Sequence, residues 1–122
     1  MIRLYDHKDA FEAVITILTK SEGGRSCPPH NGIRWDFIYA ENQPENTMYM
    51  IWPEFVDDNG DALDKGLFLE GTLKARMHIF SEDMVPLHAE RISVGTKFYS
   101  VEGPKRVAYS IVTKITGLSN ET

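Results

Sequence analysis

Short segments with a two-residue apolar repeat recur along this chain, and they leave little room for any fold other than an all-β one. In residues 33–39 the apolar side chains fall at every second position, which is the spacing of one face of a β-strand. Residues 72–80 repeat the pattern, and residues 11–19 are rich in β-branched side chains that fit a pleated sheet. Three further segments complete the predicted set of strands: 47–55, 97–101 and 106–115.

The alternation also predicts which side chains face the core. One face of the first segment carries Phe11, Ala13, Ile15 and Ile17. In residues 72–80 we expect the inward set to be Leu73, Ala75, Met77 and Ile79, and the outward, solvated set to be Lys74, Arg76 and His78. Pro53 should end the pairing of its strand or place that strand at an edge, because proline cannot donate to a ladder.

Turn signals separate the strands and predict an antiparallel barrel or sandwich. Polar or glycine-containing turns are expected at 41–46, 57–61 and 102–105, and residues 118–122 are expected to fray. A helix over residues 9–18 is an alternative to the first strand, but the Val-Ile-Thr-Ile cluster argues against it. A chain of 122 residues corresponds to one domain.

Charge and cysteine content narrow the function. The net charge is −5, which disfavours a general nucleic-acid binder. The single cysteine, Cys27, cannot form an internal disulfide, and this is typical of a reducing compartment. The first residues are too charged for a signal peptide, and no apolar run approaches the roughly 20 residues of a membrane span. We therefore expect a cytoplasmic protein without a membrane segment.

Two metal sites can be considered, and neither pattern is complete. Asp57, Asn59 and Asp61 occupy the first ligand positions of a calcium loop, but Ala62 stands where that loop needs glycine and Phe68 where it needs an acidic residue. We interpret this cluster as a solvated turn.

The second pattern is a Cys-x-x-His spacing. Cys27 and His30 could hold zinc together with His78 or His88, but no second close pair of ligands is present. Cys27 could also be a nucleophile with His30 as its base, although no orienting third group follows. We expect an ordinary loop thiol, and the sequence predicts no metal and no cofactor.

The loop at residues 20–32 is the better candidate for binding. Gly23 and Gly24 can adopt positive φ, so their N–H groups could converge on an anion. Arg25 beside them could fork onto a phosphate or carboxylate, and Arg34 on the next strand could join it. The structural alternative, a wide hairpin loop with a solvated arginine, is favoured by spacing alone.

Two motifs at the ends of the pattern resemble a known family. Residues 18–25 read Leu-Thr-Lys-Ser-Glu-Gly-Gly-Arg, followed by Asn-Gly-Ile-Arg-Trp-Asp-Phe at 31–37. Residues 95–103 read Gly-Thr-Lys-Phe-Tyr-Ser-Val-Glu-Gly, followed by Ile-Val-Thr-Lys-Ile at 111–115. In order and separation these motifs are similar to the C-terminal (third) domain of bacterial elongation factor Tu.

This resemblance implies a closed six-stranded antiparallel β-barrel, as a single domain over residues 1–122 with its core at about 11–115. In the family the barrel contacts the T-stem backbone of aminoacyl-tRNA and packs on a GTPase domain. The GTPase domain has no counterpart in this sequence, so no GTP is expected.

The family's T-stem contacts carry over to Arg25, Ser26, Asp36, Glu102 and Gly103. Arg25, Glu102 and Gly103 match the family. Ser26 replaces a histidine and Asp36 replaces a glutamine. A carboxylate at position 36 opposes phosphate binding, because backbone recognition depends on neutralising phosphates.

We expect a non-catalytic binding module. The preferred partner is a protein of the translation machinery or a toxin, to which the barrel offers a surface like that of elongation factor Tu; the role would be that of a regulator, antitoxin or immunity protein. Trp35, Trp52 and Tyr109 are candidate anchors if they are exposed.

Two alternatives stay open. The first is binding of tRNA or another phosphate backbone, through Arg25, Arg34, Lys105 and Arg106. The second is a small enzyme that uses Cys27.

Overall fold

Six antiparallel strands form one curled sheet in the computed structural model, which describes residues 1–41 and 47–118. The strands are β1 (Phe11–Ile17), β2 (Asp36–Tyr39), β3 (Ile51–Val56), β4 (Thr72–Ile79), β5 (Lys97–Glu102) and β6 (Lys105–Ile115). Their order across the sheet is β2-β5-β6-β1-β4-β3. The predicted all-β fold is confirmed, and the structure is a half-barrel with little helix.

The expectation of a closed barrel is wrong, because the sheet stays open between β2 and β3. Across this gap one isolated pair is formed, in which the Phe37 N–H donates to the Tyr49 carbonyl (2.9 Å) and the Tyr49 N–H donates to the Phe37 carbonyl (2.8 Å). The strand predicted at 33–39 begins only at Asp36, and the one predicted at 47–55 spans Ile51–Val56. A four-residue β2 is too short to pair along β3.

A side chain takes the place of the missing ladder at the edge of β3. Asn31 is buried, and its Nδ2 donates to the carbonyls of Phe55 and Leu63, each at 2.9 Å. Its Oδ1 accepts from the Phe55 N–H at 2.8 Å. Pro53 lies within β3, and the edge position predicted for its strand is confirmed.

The core lies on the concave face of the curled sheet. The rings of Phe37 and Phe98 stack with centroids 4.5 Å apart, and Phe11 meets Phe98 edge-on at 6.0 Å. The predicted inward residues of β1 are all buried, as are three of the four predicted for β4: Ala75, Met77 and Ile79. Leu73 is partly buried against the same cluster.

The predicted outward, solvated residues of β4 do not all reach solvent. Lys74 is exposed, as expected, but Arg76 and His78 are 5% and 0% exposed. Both side chains contact Glu54 of β3, which is also fully buried. Residues 1–9 cover this outer face, and an alternating pattern within β4 carries no sign of a covering segment from elsewhere in the chain.

Glu54 is the centre of this buried group. Its two oxygens accept hydrogen bonds from Arg76 Nε and Nη2 (both 3.0 Å), from His78 Nε2 (2.7 Å) and from the Leu4 N–H. Burial alone would raise the pKa of Glu54, but the hydrogen bonds from His78, Arg76 and Leu4 outweigh burial and lower the pKa to about 2. The carboxylate thereby ties residues 1–9 to the outside of the sheet.

One helix, α1 (Val85–Arg91), was not predicted from the sequence. It is seven residues long, with a proline in its first turn, where a missing N–H costs nothing. It buries His88, whose Nδ1 lies 2.6 Å from the Tyr39 hydroxyl. Burial, together with the nearby Arg91 charge, lowers the pKa of His88 to about 4.

The remaining sequence predictions concern turns. The turn at 57–61 is confirmed, with Asp57 Oδ1 accepting from the N–H groups of Asn59 (2.8 Å) and Asp61 (3.0 Å). The two-residue turn between β5 and β6 is also confirmed. Most of the polar turn predicted at 41–46, and all but the first residue of 118–122, lie outside the described residues. None of the helices in the described ranges has the length and apolar character needed to cross a bilayer.

We predict that acid destabilises the protein in two separate pH windows. His88 has an ordinary pKa of 6.5 and a folded value of about 4, so its contribution is complete above pH 6.5 and is lost as the pH falls toward 4. The pKa of Glu54 is lowered from 4.5 to about 2 in the folded protein, so the contribution of Glu54 to stability is lost as the pH falls between those values. Each shift corresponds to about 3 kcal/mol of unfolding free energy.

Urea unfolding followed by circular dichroism at pH 7.5, 5.5, 4 and 3 measures both windows. Glu54→Gln should be less stable at pH 7.5 and should show a flatter loss of stability below pH 4.5. An unchanged slope below pH 4.5 in this variant would contradict the assignment of that window to Glu54.

Asn31→Ala should lower the unfolding free energy by about 2–4 kcal/mol, because it leaves the Phe55 N–H and the Leu63 carbonyl without a partner, while the Phe55 carbonyl keeps the Leu63 N–H. Asn59→Ala is the matched control, since Asn59 lies in an exposed turn; it should change stability by less than about 0.5 kcal/mol. Thermal and urea denaturation measure both variants. Equal effects would show that Asn31 does not seal the sheet edge.

Candidate binding site

The glycine pair of the loop at 20–32 has a local structural cause. Thr19 begins a short 3₁₀ turn over Lys20–Glu22, where Thr19 Oγ1 accepts from the Glu22 N–H (3.3 Å) and Glu22 Oε1 accepts from the Thr19 N–H (2.8 Å). Gly23 ends the turn with a φ of 95°. A Cβ on Gly24 would lie 2.2 Å from the Leu18 carbonyl oxygen, so only glycine fits there.

The same turn occupies the donors that were expected to bind an anion. The Gly23 N–H donates to the Lys20 carbonyl (3.1 Å), and the Gly24 N–H donates to the Thr19 carbonyl (2.8 Å). The turn therefore leaves neither of these N–H groups free to bind an anion.

Arg25 and Glu102 meet at the end of the sheet. Arg25 Nε lies 3.3 Å from Glu102 Oε2, and the buried Trp35 donates its indole N–H to the same oxygen at 2.7 Å. Glu102 ends β5, and Gly103 follows it in the turn with a φ of 58°. The three positions that match the family motif, Arg25, Glu102 and Gly103, are therefore neighbours.

The other predicted site residues lie around this point. Lys105 is the register partner of Glu102, and the Arg106 guanidinium stacks on the Tyr99 ring at 4.2 Å. Ser26 follows Arg25 and is exposed.

A second group of predicted residues surrounds Trp52 rather than Arg25. The Arg34 guanidinium lies 5.1 Å from the centre of the Trp52 ring, and Asp36 Oδ1 accepts from Trp52 Nε1 at 3.4 Å. Of the three candidate anchors, Trp35 is buried in the core, whereas Trp52 and Tyr109 are half-buried.

A surface cleft of ≈ 420 Å³ opens beside Arg25. It runs between the end of β1 and two loops. Its apolar lining consists of Ile17, Leu18, Pro28, Pro29 and Leu69, and Arg25, Ser26 and Cys27 also border it. The Leu69 N–H donates to the Pro29 carbonyl (2.8 Å), which holds the two loops together.

Sequence reasoning missed two exposed apolar residues next to this cleft. Leu67 and Phe68 are 52% and 65% exposed, and they precede Leu69 directly. The Phe68 ring lies 4.5 Å from the ring of His30. The run Leu-Phe-Leu outside any predicted strand was the signal that could have identified them. We refer to Arg25, Pro28, Leu67, Phe68 and Glu102 as the loop-end surface.

Cys27 and His30, the two residues of the Cys-x-x-His pattern, lie at the surface of the same loop. Cys27 is exposed, and His30 Nδ1 lies 2.8 Å from the Lys65 carbonyl. Across residues 1–41 and 47–118, no three His, Cys, Asp or Glu side chains come together as they would around a metal ion.

No protein-family model matches this chain, and no curated protein is similar to it. The resemblance to elongation factor Tu therefore depends on the two end motifs.

Glu102→Ala should lower the unfolding free energy by about 1 kcal/mol, because the Trp35 indole N–H loses its acceptor. Arg25→Ala should cost less than about 0.5 kcal/mol, since the Arg25–Glu102 pair is partly solvated. Glu70→Ala, an exposed carboxylate in the neighbouring loop, is the control. Urea denaturation ranks the three variants. A larger cost for Arg25→Ala than for Glu102→Ala would contradict this description.

Proposed function

We propose that this protein is a non-catalytic binding module related to the third domain of elongation factor Tu, and that it binds a protein partner through the loop-end surface. The observation that carries the proposal is the pair Leu67 and Phe68, which are exposed and directly precede Leu69, a residue that lines the apolar cleft. Exposed aromatic and aliphatic side chains around a pocket, with an arginine at its border, are typical of protein interfaces.

The electrostatics favour a protein over a nucleic acid. Phosphate-backbone binding needs cations that are free to neutralise phosphates. Arg25 is paired with Glu102, and Arg34 lies on Trp52, which also contacts Asp36. The net charge of −5 points the same way.

The kind of partner follows from the family resemblance. A domain that resembles part of elongation factor Tu offers a related surface to proteins that bind this factor, such as other components of the translation machinery or a toxin. A module of this kind acts by occupying a partner, as a regulator, antitoxin or immunity protein.

Affinity purification from bacterial lysate, quantified by mass spectrometry, tests the proposal. Wild type should enrich a translation-machinery protein or a toxin, and the double variant Leu67→Ser/Phe68→Ser should lose at least about tenfold of it, as expected for a buried interface anchor. Val94→Ser is the matched control, because Val94 is 66% exposed and lies before β5, away from the β5–β6 turn. Equal recovery by wild type and the double variant would reject the loop-end surface.

Phosphate-backbone binding is the second candidate, favoured by the exposed Lys105 and Arg106 beside Arg25. Gel retardation of tRNA at 50 mM and 200 mM salt separates it from the first. We expect no retardation at either salt concentration. Retardation at 50 mM that Arg25→Ala abolishes, and that weakens steeply with salt, would replace the protein partner with RNA.

A further inference from the structure

Residues 1–9 lie across the outer face of β3 and β4, away from the loop-end surface. The Ala62 N–H donates to the Ile2 carbonyl at 2.8 Å, and the Leu4 N–H donates to Glu54. In the second half of the segment rings hold Tyr5 and His7, whereas Asp9 is held by Thr116 Oγ1 (2.6 Å) and by Arg3 (3.0 Å). Tyr5 meets His78 and Phe80 edge-on, with centroids 5.1 and 5.3 Å apart.

His7 makes the most specific contact of this second half. Its Nδ1 lies 3.2 Å from Nδ1 of His78, and its ring also lies 4.6 Å from Phe80. His78 is fully buried, whereas His7 is half-buried and borders a surface cleft of ≈ 350 Å³. Of the two rings, His7 is therefore the one that can move into solvent.

The tautomers of this pair are set by Glu54. Because the pKa of Glu54 is held at about 2, its carboxylate is ionised at neutral pH and can only accept. His78 therefore donates through Nε2, which is 2.7 Å from Glu54 Oε1. When His78 is neutral, its Nδ1 is an acceptor, and His7 supplies the N–H between the two rings.

Only one proton fits between the two Nδ1 atoms. If His78 becomes charged, its Nδ1–H is the donor and His7 must be the neutral acceptor. If both rings are charged, two N–H groups and two positive charges face each other across 3.2 Å. Histidine is the side chain that gains a proton between pH 8 and 5.

The surrounding charges do not offset a second proton. The groups that face the pair from the packed elements are Glu54, Arg76, Tyr5, Arg34, Arg3, Asp9, Asp6 and Lys8. Glu54 is already shared with Arg76, and Asp9 is paired with Arg3 at 3.0 Å. Asp6 and Lys8 flank His7 with opposite charges.

We propose that His7 and His78 form a proton-operated latch, which docks residues 5–8 on the outer face of β3 and β4 at neutral pH and releases them when both rings are charged. Release uncovers Phe80 and His78, and Glu54 keeps His78 in place. This inference is independent of the proposed function.

Hydrogen–deuterium exchange of the full chain at pH 7.5 and 5.5, corrected for the intrinsic exchange rate, tests the latch. In wild type, the opening of peptides covering residues 1–10 and 78–84 should increase at pH 5.5 by more than the opening of peptides from β1 and β6, because a second proton places two positive charges across 3.2 Å. Peptides from β1 and β6 measure the global loss of stability that protonation of His88 causes at this pH, which separates the latch from that effect.

His7→Phe keeps a ring against Phe80 and cannot take a proton, so the opening of its segment should change with pH no more than that of the β1 and β6 peptides. His30→Phe, at a histidine exposed elsewhere, should retain the wild-type response. Equal opening of the wild-type segment at both pH values, or the same pH response in His7→Phe as in wild type, would overturn the proposal.

Discussion

The seam between β2 and β3 is the constraint on which the rest of the molecule depends. A sheet of six antiparallel strands that curls this far brings its two edge strands close together, yet β2 has four residues and makes one isolated pair, between Phe37 and Tyr49, which lies just before β3. An edge left open over an apolar core would expose main-chain donors and acceptors. Asn31 prevents this by bonding both main-chain groups of Phe55.

That use of Asn31 explains the long loop before β2. To place Asn31 at the edge of β3, the chain leaves β1, turns at Gly23 and Gly24, and crosses to the edge of β3. The crossing sets Pro28 and Pro29 against the loop that carries Leu69, and the cleft lies between them. The candidate binding site is therefore a consequence of how the open sheet is sealed.

The other side of the sheet depends on a buried ion group. Burying Glu54 and Arg76 is costly, and it is tolerated because Arg76, His78 and the Leu4 N–H all donate to the carboxylate. The carboxylate in turn holds a main-chain N–H of residues 1–9. A segment with two strongly exposed apolar residues, Met1 and Ile2, thereby obtains a defined position through polar contacts.

The sequence pattern predicted the all-β class, most strand bounds and the inward residues of β1, and Pro53 indicated an edge strand. These features follow from the geometry of a single strand. The end motifs predicted that Arg25, Glu102 and Gly103 belong to one site, and the three residues are neighbours in the structure.

Three features were not predicted correctly. The barrel was expected to close, Arg76 and His78 were expected to face solvent, and the helix around His88 was missed. Each depends on a segment distant in sequence: Asn31 at the edge of β3, residues 1–9 on β4, and Tyr39 against His88. Local periodicity specifies which face of a strand is apolar, but only tertiary packing decides whether the other face meets water, because that depends on what else in the chain comes to cover it.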